Sequence, residues 1–313
     1  MTTFMPYHTP LYAKNDKGEP RHVGVEIEYH SLSLPESAEL VAEIFGGDIS
    51  KEQEYVYEVE SDMGNFRIEL DVSLMQKIAE NEERSAFIEF LQTPVMERSL
   101  SQLVGLAAPN ELVTPPLTLK QCEKLDELCK AFRTGGTKGT DASALYAFGV
   151  HLNPDIPSEE PGVLTAYMQA FLLLYDWLKQ DVEMNMTRML SLFAAPFPKD
   201  YCKLVLHPDY QPDMAGLIDD YLSHNPTRNR ALDMLPLFSH IDEARVKKVI
   251  DDDLVKARPT FHYRLPNSLI DDASWSVATE WNRWVKVEQL AYDEALRKDM
   301  LVEYQHMKPN LME

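Results

Sequence analysis

Residues 22–29 read His-Val-Gly-Val-Glu-Ile-Glu-Tyr and contain the clearest strand pattern of the chain. Its apolar positions are Val23, Val25, Ile27 and Tyr29. Alternation with period two and β-branched residues predicts a strand buried on one face. Glu26 and Glu28 then share the opposite face, with their carboxylates about 6.5–7 Å apart at the usual rise of a strand.

The rest of the chain divides into a part rich in strands and a part rich in helices. Further strands are predicted over 55–60, 66–72, 111–114, 147–154 and 259–265, with a turn at Gly64 and Asn65 between the first two. Helices are predicted over 76–105, from the cap Thr118 onward, over 167–178, from near 225–227 and over 276–307. Strands therefore concentrate before residue 155 and helices after 160, which predicts an α+β fold with a mostly antiparallel sheet and a largely helical C-terminal half.

We expect a single domain over 21–307, preceded by an N-terminal extension over 1–20. The helix over 76–105 is then an insertion between two strands of that domain. The sequence shows neither an internal repeat nor a low-complexity segment.

Composition excludes several classes of protein. The chain has 313 residues, a net charge of −21 and an ordinary hydrophobic fraction of 44%, so a disordered or collagen-like chain is excluded. No apolar run reaches the ~18 residues of a membrane span, and the N-terminus lacks the features of a signal peptide. Three cysteines fit a reducing compartment, so we expect a cytoplasmic protein. The acidic charge disfavours binding to nucleic acid.

Acidic residues recur on several of the predicted strands. Glu26 and Glu28 share one strand face, Asp71 lies in a second strand and Glu111 begins a third. Carboxylates that share a strand face repel each other unless a cation lies between them, and divalent cations with oxygen ligands are the usual partners. The alternative for each residue is a hydrated surface acid.

Polar residues with other chemistry lie on another predicted strand. His151 and Asn153 share a strand face downstream of a Gly-rich loop, 134–140, in which Lys138 could contact a phosphate. This loop lacks the spacing of a P-loop. The alternative for His151 is a hydrogen-bonded structural role.

Two further basic or titratable groups are candidates for ligand binding. Arg228 and Arg230 form a basic cluster that could bind a phosphate or carboxylate, or could pair with nearby aspartates. His262 and Arg264 share one face of the strand predicted over 259–265, which is typical of the polar wall of a site.

Four motifs in a fixed order resemble one family. They are Val-Gly-Val-Glu-Ile-Glu at 23–28, Leu-Asp-Val-Ser at 70–73, Glu-Leu-Val-Thr-Pro-Pro-Leu at 111–117 and Phe-Gly-Val-His-Leu-Asn at 148–153. Together they resemble the amidoligases, which belong to the carboxylate–amine ligase superfamily with glutamate–cysteine ligase and glutamine synthetase. The similarity runs from about residue 21 to 290.

The resemblance implies a fold and a set of roles. The fold would be the curved antiparallel sheet of glutamine synthetase and glutamate–cysteine ligase, with helices on its outer face. Glu26, Glu28 and Glu111 would hold two or more Mg²⁺ ions, and His151 would lie close to metal and nucleotide. Asp71, His151 and Arg264 would be the catalytic residues, with Arg264 contacting phosphate and the developing anion. The residues expected to contact ATP are Lys138, Asn153, Arg228, Arg230 and Arg264.

The sequence departs from the family pattern at two places. His262 stands where the family has a metal-binding Glu, which makes it a candidate ligand but changes the expected number of Mg²⁺ ions. About 40 residues separate Asp71 from Glu111, a longer spacing than the family usually has, which the insertion over 76–105 would explain.

The resemblance implies an ATP-dependent, Mg²⁺-requiring ligase that joins a carboxylate to an amine through an acyl phosphate. Amino acids, short peptides, a modified protein and a cell-wall fragment all remain open as substrates, as do the general base and a homo-oligomeric state. Two alternatives stay open: a degenerate relative that binds nucleotide or metal as a regulatory or scaffold subunit, and a metal-dependent hydrolase.

Overall fold

The computed structural model describes residues 5–71, 109–139, 148–182 and 194–306. The strands are β1 (Val23–Tyr29), β2 (Asp48–Gln53), β3 (Val56–Ser61), β4 (Gly64–Leu70), β5 (Asn110–Val113) and β6 (Val150–Pro154). They form one sheet in the order β2-β3-β4-β5-β1-β6, and every neighbouring pair is antiparallel. The prediction of an α+β fold with an antiparallel sheet is confirmed.

The described residues contain eight helices, most of them after residue 160. They are α1 (Leu34–Phe45), α2 (Leu119–Thr134), α3 (Pro161–Asp181), α4 (Lys199–Val205), α5 (Met214–His224), α6 (Leu235–Lys247), α7 (Val277–Tyr292) and α8 (Glu294–His306). No helix among these residues is both long and apolar enough to cross a bilayer.

The sheet has an apolar face and a polar face, as the alternation in β1 predicts. The apolar face is covered by α1 and α2: the ring of Phe45 lies 4.5 Å from that of Phe66, and the ring of Phe132 lies 4.9 Å from that of Tyr29. Thr118 caps α2 through a capping box with Gln121, so this predicted helix start is confirmed.

The helical half packs around an aromatic core. Tyr167 of α3 stacks on Phe261, with ring centroids 4.7 Å apart, and Trp284 of α7 lies 5.3 Å from the same Phe261 ring. The segment that carries Phe261 runs beside β6, because the backbone of Tyr263 exchanges two hydrogen bonds with Leu152. The helical half thereby carries polar residues to the edge of the sheet.

The predicted strand over 259–265 is wrong as a continuous strand. Only isolated bridges form there, at Thr260 and Tyr263. Pro259 and Pro266 flank the segment and cannot donate to a ladder, and the segment divides its hydrogen bonds between β6 and residues 231–233.

Two helix predictions are also wrong in their bounds. No helix begins near 225–227: α5 ends at His224 with Asn225 as its C-cap, and the next helix, α6, begins only at Leu235. The predicted helix over 276–307 is two helices, since Asp293 has non-helical dihedral angles between α7 and α8. Its start is confirmed, with Ser276 as the cap of α7.

Smaller differences concern the N-terminal half. The β3–β4 turn lies at Asp62 and Met63, two residues before the predicted Gly64 and Asn65, and Gly64 with φ of 115° begins β4. The sequence analysis missed α1 and β2, although Ser33 and Glu36 form a capping box at the start of α1. The predicted helix over 76–105 lies outside the described residues.

Candidate active site

The register of the sheet brings carboxylates from three strands into one row. Glu28 of β1 lies opposite Glu111 of β5, and Glu111 lies opposite Glu69 of β4. Directly opposed residues of an antiparallel pair have Cβ atoms only about 5 Å apart, and like charges there are destabilising. Glu28 accepts a 2.6 Å hydrogen bond from the backbone N–H of Gly149, and Glu69 is paired with Arg67 at 2.8 Å.

Glu111 lies in the middle of this row. Burial raises its pKa well above the ordinary value, and the negative charges of Glu26, Asp71, Glu28 and Glu69 raise it further. A cation between these carboxylates would remove the repulsion, which is the physical reason to consider a metal here.

A second group of side chains surrounds Glu26, which lies on the same face of β1 as Glu28 and two residues before it. Glu26 lies opposite His151 of β6, and its Oε2 lies 2.7 Å from Nδ1 of His151. Its Oε1 accepts a 2.9 Å hydrogen bond from Nδ2 of Asn153, whose Oδ1 accepts a 2.7 Å hydrogen bond from Arg258. Both carboxylate oxygens of Glu26 are therefore held in a defined orientation.

The charge state of this group follows from burial and from these contacts. Burial alone would raise the pKa of Glu26, but its interactions with His151 and His262 outweigh burial and hold that pKa well below the ordinary value. Burial lowers the pKa of His151 to about 3, despite the opposing effect of Glu26, and Arg264 and His262 lower it further. At neutral pH Glu26 is therefore ionised and His151 is neutral.

The two ring nitrogens of His151 face different carboxylates, Nδ1 that of Glu26 and Nε2 that of Glu28. When its Nδ1 donates a proton to Glu26, its Nε2 carries a lone pair, and that atom lies 3.9 Å from Oε1 of Glu28. His151 therefore stands between the carboxylate row and the Glu26 group.

His262 joins the Glu26 group from the segment beside β6. Its ring meets that of His151 edge to face, with centroids 5.3 Å apart. Its Nε2 lies 3.8 Å from Oε2 of Glu26, and its Nδ1 lies 3.4 Å from Oδ2 of the buried Asp233. Neither ring nitrogen makes a hydrogen bond to another described residue.

These side chains provide two sets of three ligands with donor atoms within 4.8 Å of one another: Glu28, Glu111 and His151, and Glu26, His151 and His262. Mg²⁺ prefers oxygen ligands in octahedral geometry and usually keeps several waters. Glu28 and Glu111 fit that preference. The second set, with two imidazoles, fits it poorly.

The structure places the other predicted residues at different distances from this cluster. Asp71 directly follows β4, and its negative charge contributes to the raised pKa of Glu111. Arg264 lies near His151 and donates a 2.7 Å hydrogen bond to the backbone oxygen of Arg228. The side chain of Arg228 pairs with Asp252 at 2.8 Å.

Arg230 and Lys138 are placed differently. The guanidinium of Arg230 donates to the carbonyl oxygens of Pro196 and His224, so it supports a turn in the helical half. Lys138 has an exposed side chain, and its backbone forms a two-way bridge with His30, just beyond β1.

Two residues of the cluster were missed by the sequence analysis. Arg258 continues the period of two set by Thr260, His262 and Arg264, so extending that pattern by two residues would have found it. Asp233 was considered only as a partner of arginine, although an acid flanked by apolar residues is itself a signal of a buried functional group.

The chain matches the model of the family described as "putative amidoligase enzyme" over residues 19–286. Comparison with curated proteins found no match, and comparison with solved structures found none. The family model spans most of the 313 residues and includes every cluster residue described above. The chain therefore belongs to the amidoligase family of ligases.

Proposed function

We propose that the protein is an ATP-dependent ligase that forms an amide bond between a carboxylate and an amine, with Mg²⁺ bound at Glu28 and Glu111. The row Glu69–Glu111–Glu28 is the observation that carries this proposal, in a chain of the amidoligase family. Arg67 already pairs with Glu69, but Glu111 is buried among the other acids and its pKa is raised well above the ordinary value. A cation bound to Glu28 and Glu111 would relieve that repulsion.

A carboxylate is a poor acyl donor, because its leaving group would be oxide. In the proposed reaction the γ-phosphoryl group of ATP passes to the substrate carboxylate and ADP leaves. The amine then attacks the acyl phosphate, inorganic phosphate leaves and the amine loses a proton. Bound Mg²⁺ would neutralise the phosphate oxygens during transfer.

The protein's own residues would position this reaction. Glu28 and Glu111 would hold the cation, with Glu28 oriented by the N–H of Gly149. Arg264, beside His151, would stabilise negative charge on the transferred group. Asp71, close to Glu111, is proposed as a third acidic contact to the metal or to its waters.

ADP release tests the proposal directly. The full chain would be incubated with ATP and Mg²⁺ and with pairs of amino acids or short peptides as carboxylate and amine. We expect ADP and phosphate to appear only when both substrates are present. Glu28→Gln should lower the rate about 100-fold, as the loss of one charge-stabilising group commonly does. Glu60→Gln, at an exposed position on β3, is the matched control and should behave as wild type.

Two outcomes would favour the alternative functions. Turnover of a substrate without ATP would identify a metal-dependent hydrolase, in which the same ligands activate water. Stabilisation of the chain against thermal unfolding by Mg²⁺ and ATP, with no ADP released for any substrate pair, would instead favour a nucleotide-binding relative without catalysis. Either result would contradict the ligase.

A further inference from the structure

Glu26, His151 and His262 differ in chemistry from the neighbouring carboxylates. The set contains two imidazoles and one carboxylate, and its donor atoms come within 4.8 Å of one another. Imidazole nitrogen suits Zn²⁺ and similar transition metals, whereas Mg²⁺ favours an all-oxygen shell. Two imidazoles and one carboxylate are therefore poor ligands for the expected Mg²⁺ at this position.

The geometry of His262 suits a metal ligand. Both ring nitrogens are buried, and neither makes a hydrogen bond to another described residue. Its Nε2 lies 3.8 Å from Oε2 of Glu26. Ligands around a tetrahedral Zn²⁺ at about 2.0–2.1 Å lie about 3.3–3.5 Å from each other, so only a small movement is needed.

The far side of each imidazole faces its own carboxylate. Nδ1 of His262 lies 3.4 Å from Oδ2 of Asp233, and Nε2 of His151 lies 3.9 Å from Oε1 of Glu28. A metal-bound histidine usually directs its second ring nitrogen at a carboxylate or carbonyl, which fixes the ring and makes the ligand more basic. Both rings meet that condition when their other nitrogens face Glu26. For His151 this requires the tautomer with its proton on Nε2, so that Nδ1 binds the metal in place of its 2.7 Å hydrogen bond to Glu26.

The supporting carboxylate at His262 is rigid. Asp233 is 1% exposed, and its Oδ1 accepts a 3.0 Å hydrogen bond from the backbone N–H of Leu235. The backbone N–H of Asp233 in turn donates to the carbonyl of His262 at 2.9 Å. Glu26 is held from its other oxygen by Asn153.

We propose that Glu26, His151 and His262 form a separate site for a nitrogen-preferring divalent cation of the Zn²⁺ class, next to the oxygen-rich pair Glu28 and Glu111. Three protein ligands leave a coordination position for water or substrate, as in catalytic rather than structural zinc sites. The inference concerns which metal this set selects and goes beyond the ATP-dependent reaction. It can therefore fail while the ligase is upheld, and the reverse is also true.

Co²⁺ is the probe, because its visible d–d absorption reports coordination without any turnover. The full chain, stripped with a chelator, would be titrated with Co²⁺ and then with Zn²⁺ or Mg²⁺ as competitor, and bound metal would be counted by mass spectrometry. We expect an intense band that Zn²⁺ abolishes at about one equivalent, while Mg²⁺ leaves it intact at about 100-fold excess.

Three variants locate the site. His262→Gln should weaken Co²⁺ and Zn²⁺ binding at least about tenfold, and Asp233→Asn should weaken it about 10- to 100-fold through the orientation of His262. His207→Gln is the matched control, since His207 also lies beside an acid, Asp209, but on the surface. It should bind as wild type. Circular dichroism would verify that each variant is folded.

Three results would overturn the proposal. The first is the absence of a Co²⁺ band in the wild-type protein. The second is displacement of Co²⁺ by Mg²⁺ as readily as by Zn²⁺. The third is unchanged metal binding in a folded His262→Gln variant, which would leave His262 as a neighbour of Glu26 and Asp233 and not a metal ligand.

Discussion

Glu26 of β1 contacts side chains of β6 and of the segment that carries His262. It touches His151, Asn153 and His262, and Arg258 lies 3.7 Å from its Oε1. Its place on the polar face followed from the alternation in β1. Its partners did not, because their approach depends on the β1–β6 register and on a segment more than 230 residues away in sequence.

Glu111 is buried among other carboxylates, so replacing it with a neutral residue should stabilise the protein. Its raised pKa means that the folded protein resists ionising this group, so stability is lost as pH rises from about the ordinary value of 4.5 toward the raised value. Glu111→Gln removes that charge and should stabilise the metal-free protein by on the order of 1 kcal/mol at pH 8. At pH 4 the gain should nearly vanish.

Urea denaturation at both pH values, in the presence of a chelator, would measure this difference. A Glu111→Gln variant that is less stable than wild type at pH 8 would show that the carboxylate is paired rather than repelled. The same variant should lose Mg²⁺-dependent activity, so stability and function would change in opposite directions.

His151 predicts a dependence on pH of the opposite sign. Its pKa is about 3 in the folded protein against 6.5 ordinarily, so the unfolded chain binds a proton between these values and the folded chain does not. Stability contributed by the neutral ring is present above pH 6.5 and is lost as pH falls toward 3. His151→Gln, which cannot titrate, should flatten the slope of unfolding free energy against pH in this window.

The free energy of unfolding, measured at several pH values from 4 to 7 without metal, tests this expectation. His240→Gln serves as the control, because His240 lies near the surface beside Glu159 and outside the cluster. An unchanged slope in His151→Gln would contradict the neutral state assigned to this ring.

Among the elements, the sequence predicts the strands β1, β5 and β6, which carry the site. It does not predict α1 and β2, which carry no site residue. β1, β5 and β6 have alternating or apolar patterns that predict strands. β2 reads Asp-Ile-Ser-Lys-Glu-Gln and is exposed throughout, so its pattern contains no buried face to detect. The side chains of the segment over 259–265 share the predicted face, but its backbone is not a continuous strand. It divides its pairing between β6 and residues 231–233, which are distant in sequence and cannot be read from the local pattern.

The distinctive motif at 111–117 has a structural reason at this scale. After β5, Pro115 packs against Gly64 at the β3–β4 turn, where a Cβ on Gly64 would come within 2.7 Å of the Pro115 side chain. Gly64 also has a φ of 115°, which other residues rarely adopt. The motif thus fixes the hairpin beside the strand that carries Glu111.

Gly64→Ala should therefore destabilise the protein by at least about 1–2 kcal/mol. Gly162→Ala is the matched control, because Gly162 lies in the first turn of α3 with open space at its Cβ. That change should be neutral or stabilise by up to about 1 kcal/mol. Thermal unfolding of both variants provides the comparison, and equal effects would show that the contact with Pro115 is unimportant.

At the scale of the whole molecule, a buried ion pair joins the start of the sheet to the helical half. Arg21 meets Glu288 of α7 at 2.7 Å, and both side chains are at most 4% exposed. Trp284 donates a 2.8 Å hydrogen bond to the same carboxylate. The sequence analysis identified neither partner, because each looks like an ordinary surface charge and only the packing of α7 against the sheet buries them.

Glu288→Gln would leave Arg21 buried without its counter-charge. We expect a loss of about 3–5 kcal/mol in unfolding free energy, the usual cost of removing one partner of a buried pair. Glu294→Gln, on the exposed start of α8, should have little effect. A small effect of Glu288→Gln in chemical denaturation would mean that water reaches Arg21.

The proposed function requires the row of carboxylates to bind Mg²⁺ together with ATP. The most direct measurement is the melting temperature with Mg²⁺ alone, ATP alone and both, in wild type, Glu28→Gln and Glu60→Gln. Saturation at about 100 times the Kd adds about 2.7 kcal/mol, or several degrees. We expect a shift that requires both ligands, disappears in Glu28→Gln and persists in Glu60→Gln. A shift with ATP in the absence of Mg²⁺, or one that Glu28→Gln retains in full, would contradict this expectation.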